Sequence, residues 1–380
     1  MFLCRIDYNA IKGNGKRTQG DAYPKRMVLH MKMIRFGQTG LEVSVVGFGA
    51  IPIQRIPVEK STKILRKAFD AGINFYDTAR YYTDSEEKIS TALGSVRDKI
   101  IIATKTLGKD YNSVMQDLET SLRLLKTDRI DVYQLHNPEF VPKPGDESGM
   151  YDALLDAKKA GKILHIGVSY HRLDFANKAI GSGLYESLQF PLSCISSDED
   201  IDIAKRCKSA GMGFIAMKAL AGGLINNTKA AFAFLRQYDN VVPIWGIQHE
   251  RELDEFLGYE KNPPILDSAM LADIARSREE LSGSFCRGCG YCMPCPAGIP
   301  IPTAARLTLL IGRTLFEGFL EDSWAEQMER INNCQQCGQC KSQCPYKLDT
   351  PVLLKEEYAK YIEFKKAHSS SIQDSGNKEA

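Results

Sequence analysis

The sequence predicts an α/β protein: a (β/α)8 TIM barrel over residues 33–262, followed by a smaller, cysteine-rich second domain over residues 263–366. Three observations lead there. Eight short β-rich runs alternate with amphipathic helical stretches. Polar residues recur at the C-terminal ends of those runs. Beyond residue 262 the composition changes: KNPPILD breaks the rhythm, helical text follows, and eight of the eleven cysteines fall between Cys286 and Cys344.

Residues 1–32 carry seven Lys or Arg against two Asp and show no apolar periodicity. They read as a disordered extension or as a mis-assigned start, with Met27, Met31 and Met33 as alternative initiators. The runs then follow: VSVVGFG ending at Gly49, INFYDTA (73–79), IIIATK (100–105), IDVYQLH (130–136), ILHIGVSY (163–170), ESLQFPL (186–192), GFIAMKAL (213–220) and VVPIWGI (241–247). Between the first two lies VEKSTKILRKAFDAG (58–72), where Ile64, Leu65, Ala68 and Phe69 share one helical face. An open doubly wound sheet is the alternative that periodicity alone leaves. The polar tail 367–380 reads as unstructured.

With 49 basic and 47 acidic residues the formal net charge is only +2, so no global field recruits nucleic acid or an anionic membrane. No run approaches the roughly 18 apolar residues of a membrane span, and the N-terminus lacks a signal-peptide core. The expectation is a cytoplasmic protein. In a reducing compartment, clustered cysteines read as metal ligands rather than disulfides. Cys4, Cys194 and Cys207 stand apart and read as ordinary small residues.

Asp77, Lys105, His136, Ser169 and Gln189 each end a β-rich run, and in a barrel those ends converge on the face where active sites lie. Singly each has a plain structural reading: Asp77 a helix cap, Tyr82 a loop aromatic, Lys105 a snorkelling lysine, His136 a satisfied core histidine. Jointly, NFYDTARYY with Tyr82 five residues after Asp77, IIATK ending on Lys105 and YQLHNP carrying His136 resemble the aldo/keto reductase family over about residues 34–258. That resemblance implies reduction of a carbonyl, or oxidation of an alcohol, with NAD or NADP. Tyr82 would be the acid, its pKa lowered from about 10 by Lys105. Asp77 would hold Lys105 charged, and His136 would place the carbonyl oxygen. By the same resemblance Ser169 and Gln189 would hold the nicotinamide carboxamide, with Tyr170 where many members have Asn. Met217 replaces the usual stacking aromatic. Lys218 would face the diphosphate. In WGIQHERELDEF the helix start would receive a phosphate, with Gly246 and Glu252 at the counterparts of a 2'-phosphate-binding Lys or Arg and Arg251 adjacent. NAD versus NADP stays open.

Cys286, Cys289, Cys292 and Cys295 form Cys-x-x-Cys-x-x-Cys-x-x-Cys-Pro. Cys334, Cys337, Cys340 and Cys344 form Cys-x-x-Cys-x-x-Cys-x-x-x-Cys-Pro. The second is the bacterial ferredoxin run, and the first is one residue short of it. Three thiolates on one tight loop can take three corners of an iron–sulfur cube. In two-cluster ferredoxins the fourth cysteine ligates the other cluster, so Cys344 would complete the first set and Cys295 the second. The expectation is a small helical, ferredoxin-like domain with two 4Fe-4S clusters. Zinc, with paired Cys-x-x-Cys knuckles, is the runner-up. The short first spacing, in CRGCGYCMPCP, also resembles the iron–sulfur branch of the aldo/keto reductases.

Two functions compete: a nicotinamide-dependent enzyme acting on a small carbonyl or alcohol, and an electron-transfer protein whose barrel docks a one-electron redox partner. The clusters could also serve as structural staples. A hydride carries two electrons and a cluster accepts one, and no flavin motif bridges the two, which argues against a direct relay.

Overall fold

The computed structural model describes residues 31–281, 285–311 and 317–373. A short antiparallel hairpin, β1 (Met33–Arg35) and β2 (Glu42–Ser44), precedes eight strands that close into a parallel barrel: β3 (Gly47–Gly49), β4 (Phe75–Asp77), β5 (Ile101–Thr106), β6 (Ile130–His136), β7 (Ile163–Ser169), β8 (Ser187–Pro191), β9 (Gly213–Met217) and β10 (Val241–Gly246). Each predicted β-rich run supplies one barrel strand, and β10 pairs with β3 to close the ring. Strands covered on both faces need continuous apolar text, and every residue of β6 is buried.

The outer layer is α1 (Val58–Asp70), α2 (Ser85–Leu93), α3 (Tyr111–Leu125), α4 (Met150–Lys159), α5 (Leu173–Ser182), α6 (Asp198–Ser209), α7 (Thr228–Leu235) and α8 (Glu250–Lys261). In α1, Ile64, Leu65 and Ala68 are buried and Phe69 is partly so. Capping boxes start α3 (Asp110 with Ser113) and α6 (Ser197 with Asp200), satisfying amides that a helix start leaves without partners. The hairpin seals the barrel floor, with the Phe36 ring 5.5 Å from Phe75. It was not foreseen as a separate element.

After α9 (Ser268–Glu280) the second domain is irregular and helical: α10 (Ile301–Ala304), α11 (Leu307–Ile311), α12 (Asp322–Glu329), α13 (Gln339–Ser342) and α14 (Thr350–Gln373). Its own small core gathers Ile299, Ile301, Ala304, Leu307, Met328, Ile331, Leu354 and Tyr361 around Cys292. α14 extends to Gln373, into the stretch 367–380 expected to be unstructured. Extending an existing helix costs far less than nucleating one, and EFKKAHSSSIQ contains no Pro or Gly. The rest of that tail, and nearly all of 1–32 including Cys4, lie outside the described residues. Cys194 and Cys207 are buried core residues. None of the described helices is long and apolar enough to cross a membrane.

Candidate active site and cysteine cradle

Strand register brings the candidate residues together at the C-terminal mouth of the barrel. Asp77 ends β4, Lys105 lies near the end of β5, and His136 ends β6 opposite Ser169, which pairs in turn with Gln189. Lys105 Nζ donates to both Asp77 oxygens at 2.8 Å and to the Thr78 carbonyl at 2.6 Å, with side-chain exposures of 1% and 2% for the pair. Tyr82, in the turn before α2, has its ring centroid 5.3 Å from Lys105 Nζ and 6.0 Å from the His136 ring, edge to face.

The electrostatics differ in one respect from expectation. Burial, and then the Asp77 carboxylate, hold the Tyr82 phenol above its usual range. The charge of Lys105 is answered at short range by Asp77, which leaves little of it for the phenol. Burial, and then the Lys105 charge, push His136 down to about 3, so it is neutral at pH 7. Its Nδ1 is buried and has no partner among the described residues. A neutral imidazole with an unpaired nitrogen can donate to an incoming oxygen.

The other candidates are distributed as follows. Ser169 Oγ accepts from the Asn137 amide at 3.1 Å, and Gln189 accepts from Gln134 at 2.9 Å and donates to Asp77 at 3.5 Å. Tyr170 is buried, its hydroxyl donating to the Phe140 carbonyl. Met217 ends β9, partly buried. Lys218 is turned toward the second domain, donating to the Arg287 carbonyl at 3.2 Å and the Tyr346 hydroxyl at 3.5 Å. Gly246 ends β10 and is exposed, as is Arg251 in the first turn of α8. At that helix start Glu252 accepts from the amides of Gln248 and His249.

Sequence reasoning did not single out the roof of the site. Tyr291, between Cys289 and Cys292, packs edge-on against His136 (5.8 Å) and His171 (5.2 Å). His171 Nδ1 lies 2.7 Å from the hydroxyl of Tyr346, two residues after Cys344. His171 follows a strand end and so carried a usable signal. Nothing local marks the two tyrosines, whose barrel partners lie more than a hundred residues away in sequence.

A small pocket in the second domain is lined by Cys292, Cys295, Cys334, Cys337 and Cys340, with Ile299, Ile301 and Leu354 behind them. It joins the last two cysteines of the first run, Cys292 and Cys295, to the first three of the second. Cys286 and Cys289 lie on the barrel side, within electrostatic reach of Lys218, and Cys289 and Cys344 both act on Tyr346. Thiolates spread around a cavity suit the corners of a cube better than a single ion, and among the described residues no compact single-ion group of His, Cys, Asp or Glu occurs.

The aldo/keto reductase family profile matches residues 45–233, the stretch that carries Asp77, Tyr82, Lys105 and His136. The barrel belongs to the aldo/keto reductase family. A 4Fe-4S dicluster domain profile matches residues 285–349, which contain all eight clustered cysteines. L-galactose dehydrogenase of Arabidopsis thaliana is 33% identical over 208 residues, 50% of this chain and 65% of that protein, so the chain spans just under two thirds of this relative. A 6-dehydroglucose reductase of Novosphingobium aromaticivorans is 26% identical over 65% of this chain and 89% of its own. The solved holo form of the aldo-keto reductase AKR11C1 from Bacillus halodurans superposes with a TM-score of 0.57 at 21% identity, covering 65% of this chain and 96% of its own, and shares the fold of the reductase barrel.

Proposed function

We propose that this chain is a nicotinamide-dependent oxidoreductase that interconverts a small carbonyl and its alcohol at the barrel mouth, and that its C-terminal domain carries two 4Fe-4S clusters. The observation that carries the reading is the neutral His136, with an unpartnered buried nitrogen, beside Tyr82 and the buried Asp77–Lys105 pair. Bound nicotinamide supplies the hydride, and bound clusters exchange single electrons. His136 donates a hydrogen bond to the substrate oxygen and fixes its position. Tyr82, protonated at any ordinary pH, gives that oxygen its proton. Lys105, held by Asp77 and Thr78, sets the local charge. Ser169, Gln189 and Met217 are the groups available to the nicotinamide ring.

For the clusters, Cys334, Cys337 and Cys340 with Cys295 form one ligand set, and Cys286, Cys289 and Cys292 with Cys344 the other. The cavity, which Cys292 also borders, supports placing Cys295 with Cys334, Cys337 and Cys340, and the common approach of Cys289 and Cys344 to Tyr346 supports the second set. About eight irons per chain are then expected, and zinc as the main metal would refute this half.

The test is anaerobic turnover of NADH and NADPH against a carbonyl panel, comparing the parent with Tyr82→Phe. The variant should lose about a hundredfold or more in rate, with iron content unchanged. Turnover at the parental rate would end the assignment. A second reading, electron transfer to a docked partner, is favoured by the roof of Tyr291 and Tyr346 over the mouth. It predicts exchange with a one-electron dye and no carbonyl reduction.

A further inference from the structure

The two cysteine sites sit in different electrostatic surroundings. The cavity around Cys295, Cys334, Cys337 and Cys340, which Cys292 also borders, is lined by cysteines, glutamines, glycine, prolines and aliphatic side chains, with no charged residue among them. The nearest lysine in sequence, Lys341, is paired with Asp349 at 2.6 Å. The Cys286–Cys289 loop instead meets two cations. Arg306 donates to the Gly222 carbonyl at 2.8 Å and to the Pro302 carbonyl at 2.8 Å. Its guanidinium lies on Gly288, between the two cysteines, so closely that a Cβ there would stand 2.7 Å from Arg306 Cζ. Lys218 approaches from the barrel, its Nζ on the Arg287 carbonyl, one residue after Cys286.

Neither cation is paired with a carboxylate among the described residues; the negative groups that act on them are Cys286 and Cys289. Arg287 differs, since its charge also reaches Asp200. Lys218 is held at φ +58, a left-handed conformation costly for a side chain with a Cβ and maintained where surrounding contacts require it. The Gly288 amide also points at Cys286 Sγ, 3.4 Å away. Two buried-side cations without counter-charges, aimed at one thiolate loop, are what an added negative charge on that loop would call for.

We infer that Lys218 and Arg306 form a cationic collar that sets the reduction potential of the cluster on Cys286, Cys289 and Cys292 above that of the cluster on Cys334, Cys337 and Cys340. Net charge and hydrogen bonds to sulfur are among the features through which a protein sets cluster potential. Reduction adds one negative charge, and a nearby unpaired cation favours the reduced form. The first electron taken up therefore rests on the cluster facing the barrel mouth, and the second on the one in the uncharged cavity. Lys218 and Arg306 are positioning residues in this scheme. The inference rests on the cluster reading and is independent of the carbonyl chemistry.

The test is a potentiometric titration of the anaerobic, iron-loaded full chain, followed by electron paramagnetic resonance. The parent should reduce in two waves. Arg306→Gln and Lys218→Met should each lower the higher wave by about a factor of ten in the one-electron equilibrium constant, ~59 mV. The lower wave should stay in place. Arg306→Lys, which keeps the charge, should leave both unmoved. Gln335→Lys, adding a cation at the other cavity, should raise the lower wave alone. Should Arg306→Gln lose iron, Lys218→Met decides. Waves that ignore both neutralising variants, a shift confined to the lower wave, or two clusters reducing at one potential would overturn the collar. A parent without a 4Fe-4S signal would overturn the cluster reading beneath it.

Discussion

Removing one member of the Asp77–Lys105 pair should cost more than any surface substitution in this protein. Lys105→Met leaves the Asp77 carboxylate buried at 2% exposure with one long hydrogen bond, from Gln189 at 3.5 Å. Asp77→Asn leaves the ammonium on the Thr78 carbonyl. Breaking a buried pair from one side typically costs about 3–5 kcal/mol, because the survivor stays desolvated without its counter-charge. At roughly 2–4 °C per kcal/mol for a unit of this size, the melting temperature should fall by roughly 6–20 °C. The double variant Asp77→Asn/Lys105→Met removes the stranded charge and should recover at least about 2 kcal/mol relative to the sum of the singles. Differential scanning calorimetry on parent, singles and double at pH 7 measures the cycle. Additive losses, or single losses below about 1 kcal/mol, would show that the two groups are not a desolvated ion pair and would remove the electrostatic basis of the proposed site.

Three further outcomes follow from the same geometry. Glu186 is pulled upward by burial but held at about 2 by His165, Lys158 and the Ile166 amide. The stabilisation from this depressed carboxylate is present above its unfolded value of 4.5 and lost as pH falls toward 2, so Glu186→Gln should flatten the pH dependence of the urea midpoint in that window. His136 stays neutral down to about 3 in the folded protein while the unfolded chain takes up a proton from 6.5 downward. The rate profile for carbonyl reduction should therefore show no His136 inflection between pH 5 and 8, and a break abolished by His136→Gln would contradict this. At the start of α8, Glu250 is paired with Lys63 and Lys67, while Glu252 occupies the amides of Gln248 and His249 with its carboxylate. A 2'-phosphate there would meet like charge, so NADPH should show a KM roughly tenfold above that of NADH, a gap that Glu252→Gln should narrow.

The eight barrel strands were legible because each is a short apolar run bounded by turn chemistry, and a parallel sheet buried on both faces writes that pattern plainly. Asp77, Lys105 and His136 were legible because polar residues at strand ends converge by topology alone. The protonation balance was not. Whether Lys105 lowers the Tyr82 pKa depends on where its charge is spent, and the bidentate contact with Asp77 is a matter of ångströms that spacing does not encode. Lys218 shows the same limit. The family resemblance implied that it faces a diphosphate, and spacing alone does not show that its ammonium also meets Arg287 and Tyr346 of the second domain. Tyr291 was hidden inside a cysteine run and Tyr346 just beyond one, and the ligand pattern gave no hint of their contacts to the barrel.

That roof has a consequence for how the molecule is made. A chain synthesised from its N-terminus completes the last barrel helix at Lys261, well before Tyr291 and Tyr346 exist. At roughly 5–20 residues per second, the interval before Tyr346 emerges is on the order of ten seconds. During it His136 and His171 lack the cover of Tyr291 and Tyr346. The mouth of the nascent barrel therefore stays open on that side until the second domain has been made.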